Sequence, residues 1–566
     1  MSHILMRWKR FFPWGLAILL IACSVAHAGA PSGPRVHLSF EGGLANSVGT
    51  MYLGATPEPA YFGEGGVGRS LDLTGAAVNR YPVDLGEVES LKGDGDLSIE
   101  VWVRMKSGTR DDNRIVSCMD GFSGWRGTTD ETRGWAIRAQ ANGSWEWQIL
   151  GPAHHEEEGP KKKAATTVGM MFRGVDRDNP SYAYRPTPER QPINDGRWHQ
   201  LAFTLDRQID EVRLYYDGRN VAIYDTGWLG NIADSSHVAV GGILARWHGE
   251  RESFTGYIDE VRMWDRVVDG EEIQAGYERI QRVEVIEPTL GDSDLKVMTF
   301  NIWHGGKSHG ESVGVERTID VIRESGADII AMQETYGAGA IIADSLGYYF
   351  YLRSSMSADD NTNHSIMSRF PITTVHRIFK PFMSGGANIE LNPGREIAFY
   401  TVWNNYQSTR PRRPWRAPDV TPQQLVDGEK VVGESWEYPP LPRYEQTKEI
   451  LRQMASVLDA ADKVPVFVSG DWNSYSHLDW IEATADRHGG LAVEWPVSKE
   501  LEAQGLVDAY RELHSRIRSE EGRRIDRIYY KGTGFRAIDA HMYRWHPVKW
   551  PSDHPAVIVT FRPSGE

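Results

Sequence analysis

The stretch "VPVFVSGDWNSY" (464–475) decides how the chain is read. Val466, Phe467 and Val468 make an apolar run that looks like a buried strand. The run stops abruptly at Asp471-Trp472-Asn473. Taken alone, Asp-x-Asn is turn chemistry, because both residue types favour turns and caps. It also sets a carboxylate and an amide at a strand end, where α/β sheets gather their functional groups. The flanking pattern has to choose between the two.

On both sides of this stretch, strands and helices alternate. "LKVMTFNIW" (295–303) and "ADIIAMQET" (327–335) read as strands, and "VERTIDVIRESG" (315–326) between them reads as a helix ending at Gly326. Ile450, Leu451, Met454 and Leu458 share one helical face. "IDRIYY" and "AVIVTF" supply further strands. The alternation predicts an α/β domain over 294–563.

Before it the grammar is all β. "LSIEVWVRM" (97–105) and "WHQLAFTL" (198–205) alternate apolar and polar residues. "VRLYYDGRNVAIY" (212–224) places Asp217-Gly218 between two such runs, a hairpin signal. "FTGYIDEVRMWDR" (254–266) adds a strand. Many short strands with turn signals predict a sandwich or jelly roll over 36–283. "EVIEPTLGDSDL" (284–295), with Pro288, Gly291 and several acids, reads as a linker whose core is 284–293.

The totals agree with two domains. A chain of 566 residues is too long for one hydrophobic core. Its formal net charge of −15 weighs against a general polyanion-binding surface and hence against nucleic acid. The 20 Trp and 23 Tyr can fill cores or stack on flat ligands. Arg7, Lys9 and Arg10 precede an apolar stretch and Ala26-His27-Ala28, which predicts an export signal over 1–28 and an extracytoplasmic protein, periplasmic or secreted. A rival reading takes Leu20-Ile21-Ala22-Cys23 as a lipobox that anchors the chain through Cys23. No later run is long enough to span a bilayer. Either route leaves Cys118 without an intrachain disulfide.

Polar clusters recur at strand edges of the C-terminal domain: Asn301, Glu334, Asp471 with Asn473, Asp526, and Asp553-His554. Any one is an ordinary turn or cap residue; five clusters in one domain point to a site. Hard oxygen ligands such as Glu334 and Asp553 suit Mg²⁺. Asp471 can orient or deprotonate a water, Asn473 can hold that carboxylate or a phosphate oxygen, and His554 backed by Asp526 can stabilise phosphoryl charge.

These motifs resemble the endonuclease/exonuclease/phosphatase superfamily, whose fold is that of DNase I. "TFNIW", "QE", "SRFPI", "GDWN", "DRIYY" and "SDH" occur in the family's order over the C-terminal domain. The resemblance implies a four-layer α/β sandwich. It makes Asn301 and Glu334 metal-site residues, beside Asp553 as a candidate ligand by its own chemistry, and Asp471, Asn473, Asp526 and His554 catalytic ones. It also implies Mg²⁺, with Mn²⁺ as an alternative. The N-terminal motifs "HLSFEG", "LSIEVWVR", "DGRWHQLAFTLD", "RLYYDG" and "GYIDEVRMWDR" resemble laminin-G-like, concanavalin-like jelly rolls. That resemblance implies a module for carbohydrate or protein ligands and admits a bound Ca²⁺.

The sequence departs from the catalytic family at one place. Many members carry a second histidine on the strand that here reads "EIAFYTVWNNYQ" (396–407). Trp403, Asn404, Asn405 or Tyr406 stands in its place. Such a group contributes about 10²–10⁴-fold, so its loss weakens or redirects the chemistry sooner than it abolishes it. His304 in "NIWHGG" and Tyr406 are candidate substrate contacts. So is Arg410, with Arg412, Arg413 and Arg416 in "RPRRPWR", since guanidinium forks suit phosphate. Each has an ordinary reading as a loop residue, as do Ser365 and Arg369 as sheet residues. "HHEEEGPKKK" (154–163) reads as a solvated loop or, through His154 and His155, a metal site. The resulting expectation is an exported Mg²⁺-dependent phosphoesterase acting on a phosphorylated small molecule, lipid or glycan, with a sugar- or surface-binding module. A secreted nuclease and an inactive surface-binding protein are the alternatives.

Overall fold

The computed structural model describes residues 33–41, 43, 62–75, 82–105, 113–119, 133–140, 143–152, 167–172, 192–227, 229–233, 237–242, 254–309, 313–353, 363–407, 414–417, 419–431, 441–514 and 524–564. Residues 1–28 with Cys23, His154, His155, Arg410, Arg412 and Arg413 lie outside them.

The N-terminal strands form the two layers that the alternation predicts. Leu97–Arg104, His199–Asp206, Glu211–Tyr216 and Arg219–Asp225 are successive neighbours in one sheet. Asn113–Met119, Gly134–Ala139 and Trp145–Pro152 belong to the other. Inward residues alternate with outward ones, so Ile99, Val101 and Phe203 meet Trp135, Ile137 and Trp147 in a shared core. The Phe203 ring lies 5.7 Å from Trp135 and 5.3 Å from Trp147. The hairpin at Asp217-Gly218 turns with positive φ at both residues, 49° and 80°, as a tight two-residue loop requires. A helix the pattern did not signal, Gly270–Gln281, follows the last strand, capped by the Asp269 side chain.

The C-terminal part is two mixed sheets face to face. One runs Tyr349–Arg353, His364–Ser368, Ile329–Gln333, Leu295–Asn301, Ala556–Pro563, Phe535–Tyr543. The other runs Ile372–His376, Ser384–Asn392, Arg395–Trp403, Val466–Asp471, Asp526–Lys531, Val507–Asp508. Val297, Ile329, Phe399, Phe467, Ile528 and Phe561 are buried between them. The helix Val313–Ser325 covers the first sheet through Val315, Ile319 and Ile322. The helix Arg443–Gln453 covers the second through Ile450 and Leu451. The order helix, sheet, sheet, helix is the four-layer sandwich expected.

The two parts are not beads on a string. Arg219–Asp225 pairs in parallel with Tyr349–Arg353, from Ala222 opposite Phe350 to Asp225 opposite Arg353. One sheet of 14 strands therefore runs through both. Each part supplies the partner that the other's exposed edge strand needs. Buried Asp225 accepts an ion pair from Arg377 at 3.0 Å and lies 3.6 Å from Arg353 Nε. The segment read as a linker has no helix or strand over 282–294, yet it is pinned. The Ile286 carbonyl accepts from Arg219 at 2.7 Å, and the Leu290 N–H donates to the Leu391 carbonyl at 2.7 Å.

Candidate active site

Strand direction brings the polar clusters to one end of the sandwich. Leu295–Asn301 and Ile329–Gln333 run in parallel, with Asn301 opposite Gln333, so Glu334 emerges beside Asn301. Arg395–Trp403 and Val466–Asp471 are parallel too, with Trp403 opposite Asp471. Asp526 opens an antiparallel strand directly opposite Asp471. Ala556–Pro563 is antiparallel to Leu295–Asn301, so the Ser552-Asp553-His554 segment before it reaches the same end.

The Asp-Trp-Asn stop then has a local explanation. Strand alternation sends Trp472 away from Asp471, into a core where its ring meets Tyr529 edge-on at 5.6 Å. Asn473 turns back with φ +48°. Its N–H donates to Asp471 Oδ1 at 2.9 Å, and its Nδ2 to Asp471 Oδ2 at 3.2 Å and to the Asn404 carbonyl at 2.9 Å. The turn is real, and it holds a carboxylate.

Asn301 links the two sheets. Its Nδ2 donates to Glu334 Oε1 at 3.0 Å and to Asp471 Oδ2 at 3.1 Å, while its Oδ1 accepts from the Trp303 N–H at 2.9 Å. Glu334 Oε2 accepts from the His304 N–H at 3.1 Å. Glu334 adopts φ +57°, fixed by its own N–H donating to Asn363 Oδ1 at 2.7 Å. Trp303, His304 and Tyr336 also have positive φ. Such conformations cost about 1–3 kcal/mol each and cluster at functional sites.

His554 Nδ1 lies 2.8 Å from Asp526 Oδ2. Asp471, Asp526 and His554 offer ligand atoms all within 4.8 Å of one another. Asp553 is half exposed, with Oδ1 3.8 Å from His554 Nε2. Burial alone would lower the His554 pKa, but the charge and hydrogen bond of Asp526, then Asp471 and Asp553, raise it to about 10. A pKa raised in this way favours the imidazolium form. Burial raises Asp471 to about 7; Asp526 and Glu334 push it the same way, against His554 and the Asn473 N–H. Asp526 Oδ1 is buried and accepts no hydrogen bond among the described residues.

Of the residues singled out from sequence, Asn301, Glu334, Asp471, Asn473, Asp526, Asp553 and His554 come together. His304 sits at the mouth, its side chain 66% exposed and its Nδ1 3.8 Å from Glu334 Oε2. Trp403 is the residue in register with Asp471, and Tyr406 is exposed beyond it. Ser365 is buried within the sheet, and Arg369 pairs with Asp328 at 3.2 Å. The sole group of three potential metal-ligating His, Cys, Asp or Glu side chains among the described residues is the trio at this site; the jelly roll contributes none.

Three supporting residues have no sequence signal of comparable strength. Asn363 holds Glu334. Ser552 donates to the Asn301 carbonyl at 2.6 Å and accepts from the His554 N–H at 3.0 Å. Buried Arg443 donates to the Asn473 carbonyl and, at 2.7 Å, to the Tyr406 carbonyl, tying the two loops together. Of the three, Ser552 alone was signalled, as the first residue of the motif "SDH".

Residues 298–554 match the model of the Endonuclease/Exonuclease/phosphatase family. Residues 170–274 match that of the Concanavalin A-like lectin/glucanases superfamily. An uncharacterised protein of Caenorhabditis elegans is 28% identical over 235 residues, covering 40% of this chain and 69% of that one. Similar solved structures include the human Nocturnin catalytic domain with bound sulfate anion, at 15% identity, covering 49% of this chain and 97% of that one with a TM-score of 0.34. An AP endonuclease from Archaeoglobus fulgidus is 17% identical, covering 47% and 99%, with a TM-score of 0.33.

Proposed function

From an endonuclease/exonuclease/phosphatase domain at the C-terminus and a concanavalin-like module before it, we propose an exported, divalent-metal-dependent phosphoesterase. Its substrate is a phosphorylated small molecule, lipid or glycan rather than a nucleic acid. The catalytic module is taken as 294–563 and the binding module as 36–283, joined by 284–293. The observation that carries the reading is the convergence of Asn301, Glu334, Asp471, Asn473, Asp526 and His554 at one end of the two sheets.

A hard cation fits the residues present. Glu334, Asp471 and Asp526 gather near the one His554 ring, burial and then the neighbouring carboxylates raise the Asp471 pKa, and Asp526 Oδ1 has no donor among the described residues. Buried like charges of this kind call for a counter-ion. Asn301 and Glu334 would hold Mg²⁺ or Mn²⁺, with Asp553 on the open side. The bound ion would polarise a phosphoryl oxygen and stabilise the leaving oxygen.

The chain's own groups do the rest. Asp471, gripped twice by Asn473, is positioned to orient a water and take its proton at a carboxylate oxygen. The His554 imidazolium donates to phosphoryl oxygens as charge develops, and Asp526 fixes the ring by engaging Nδ1, leaving Nε2 on the Asp553 side. The strand Arg395–Trp403 and the residues through Gln407 carry no histidine, so acid–base work falls to Asp471 and His554. Export is supported by the leader-like pattern of 1–28; no helix of the described residues is long and apolar enough to cross a membrane.

The test is a panel of sugar phosphates, inositol phosphates, phospholipids and nucleic acids, each with Mg²⁺ and with EDTA. EDTA-sensitive turnover of a phosphomonoester or phosphodiester of a small molecule, lipid or glycan supports the proposal. Exclusive, salt-sensitive cleavage of DNA would replace it with the nuclease reading. Silence across the panel would leave a binding protein.

A further inference from the structure

The mouth of this site is walled by rings from separate loops. His304 stacks on Tyr336 with centroids 5.7 Å apart and planes 23° from parallel. Tyr406 is 53% exposed and meets Trp403 edge-on at 5.8 Å. Trp403 in turn meets Phe382 at 5.6 Å and 90°. The His304 N–H donates to Glu334 at 3.1 Å, Asn301 bridges Glu334 and Asp471 at 3.0 and 3.1 Å, and Trp403 lies opposite Asp471 in the sheet. The rings therefore run from the Glu334 side of the carboxylate cluster round to the Asp471 side.

Core packing accounts for some of these rings and not others. Trp403 is buried and serves as a floor, although its indole N–H finds no acceptor among the described residues. His304 and Tyr406 are exposed and fill no core. Their loops are nevertheless held: His304 and Tyr336 keep positive φ of 51° and 36°, and Arg443 fastens the Tyr406 carbonyl. Exposed rings on fixed backbone, beside a phosphate-handling centre, are the arrangement that stacks on a ligand.

We infer that His304, Tyr336 and Tyr406 form a subsite for a ring carried by the phosphoester, with the phosphorus at Asp471 and His554. The inference rests on the phosphoesterase reading and narrows its substrate class to small ring-bearing phosphoesters over acyclic ones. Either an aromatic base or the flat face of a sugar has the required chemistry.

The experiment measures binding apart from turnover. Full-length Asp471→Asn protein, checked for native fold by circular dichroism, is titrated by calorimetry in Mg²⁺ with a nucleoside 5′-monophosphate, a hexose 1-phosphate and glycerol 3-phosphate. At least one ring-bearing ester should bind about tenfold or more tightly than glycerol 3-phosphate, and adding Tyr406→Ala should erase most of that preference. The stronger of the two ring arms identifies base or sugar. Equal affinity for ring and acyclic esters, or a preference that survives both Tyr406→Ala and His304→Ala, overturns the subsite. If the wild-type chain hydrolyses ring and acyclic esters with equal kcat/KM, the subsite fails and the phosphoesterase stands. Ring-selective binding without hydrolysis of any ester does the reverse. Absence of binding to all three esters overturns the subsite.

Discussion

At the scale of single residues, the site is a chain of hydrogen bonds from Glu334 through Asn301 to Asp471, beside the Asp526–His554 pair. The residue types were legible because carboxylates, amides and a histidine recur where apolar runs stop. Their partners were not: Arg443 and Asn363 act through contacts between loops far apart in the chain, which no local pattern encodes. Nor could sequence choose among the residues from Trp403 to Tyr406; strand register placed Trp403 opposite Asp471. The Asp526–His554 pair yields a specific expectation. Asp526→Asn removes the main influence that raises the His554 pKa. The ring should then titrate closer to its ordinary range by NMR, and kcat should fall by about 10²–10⁴-fold. An unchanged His554 titration would show that another group holds the charge.

At the scale of elements, apolar periodicity located the strands because each buries one or both faces between layers. The helical face of Ile450, Leu451, Met454 and Leu458 is in fact carried across two helices, Arg443–Gln453 and Ala455–Asp459, broken at Met454. The strand that delivers Asp471 leaves no room at Gly470, where an added Cβ would lie 2.0 Å from the Val402 carbonyl oxygen. Gly470→Ala should therefore push apart the two strands that carry Trp403 and Asp471. A loss of about 1–3 kcal/mol by denaturant unfolding is expected, together with a drop in activity; neutral stability would mean that the strands separate freely. Beneath the Asp526 loop, Arg524 lies 2.7 Å from Asp508 and 3.2 Å from Asp479, all three buried. Burial alone would raise the Asp508 pKa, but the Arg524 charge and hydrogen bonding hold it below the ordinary value. A depressed folded pKa means the stabilisation is complete above about pH 4, the unfolded value, and is lost as pH falls through the folded one. The Tm advantage of wild type over Asp508→Asn, equivalent to about 3–5 kcal/mol for a broken buried pair, should be flat from pH 5 to 7 and shrink below pH 4. An advantage that grows in acid would contradict this sign.

At the scale of the whole molecule, sequence gave two modules and a linker, and the structure joins them through a shared sheet. That pairing was hidden because an edge strand that meets a second module has the same alternation as one that faces water. Arg219–Asp225 and Tyr349–Arg353 shield each other's backbone, so calorimetry should show one cooperative transition for the intact chain. Asp225→Ala, which removes the partner of Arg377, should lower its Tm or split it; two transitions already present in wild type would contradict a joined sheet. The same pairing holds the concanavalin-like module beside the part that carries the candidate site, because Asp225 and Arg353 lie opposite each other at the sheet end toward which Gln333 and Glu334 also point. The central claim is that this end of the molecule hydrolyses phosphoesters with Asp471 at its centre. It is tested most directly by Mg²⁺-dependent turnover of bis(p-nitrophenyl) phosphate and p-nitrophenyl phosphate by the full chain and by Asp471→Ala of matched fold. The account predicts hydrolysis of at least one ester by wild type, abolished by EDTA and lowered by about 10³-fold or more in the variant. Hydrolysis that proceeds equally with Asp471 removed, or is absent from the wild-type chain, would contradict it.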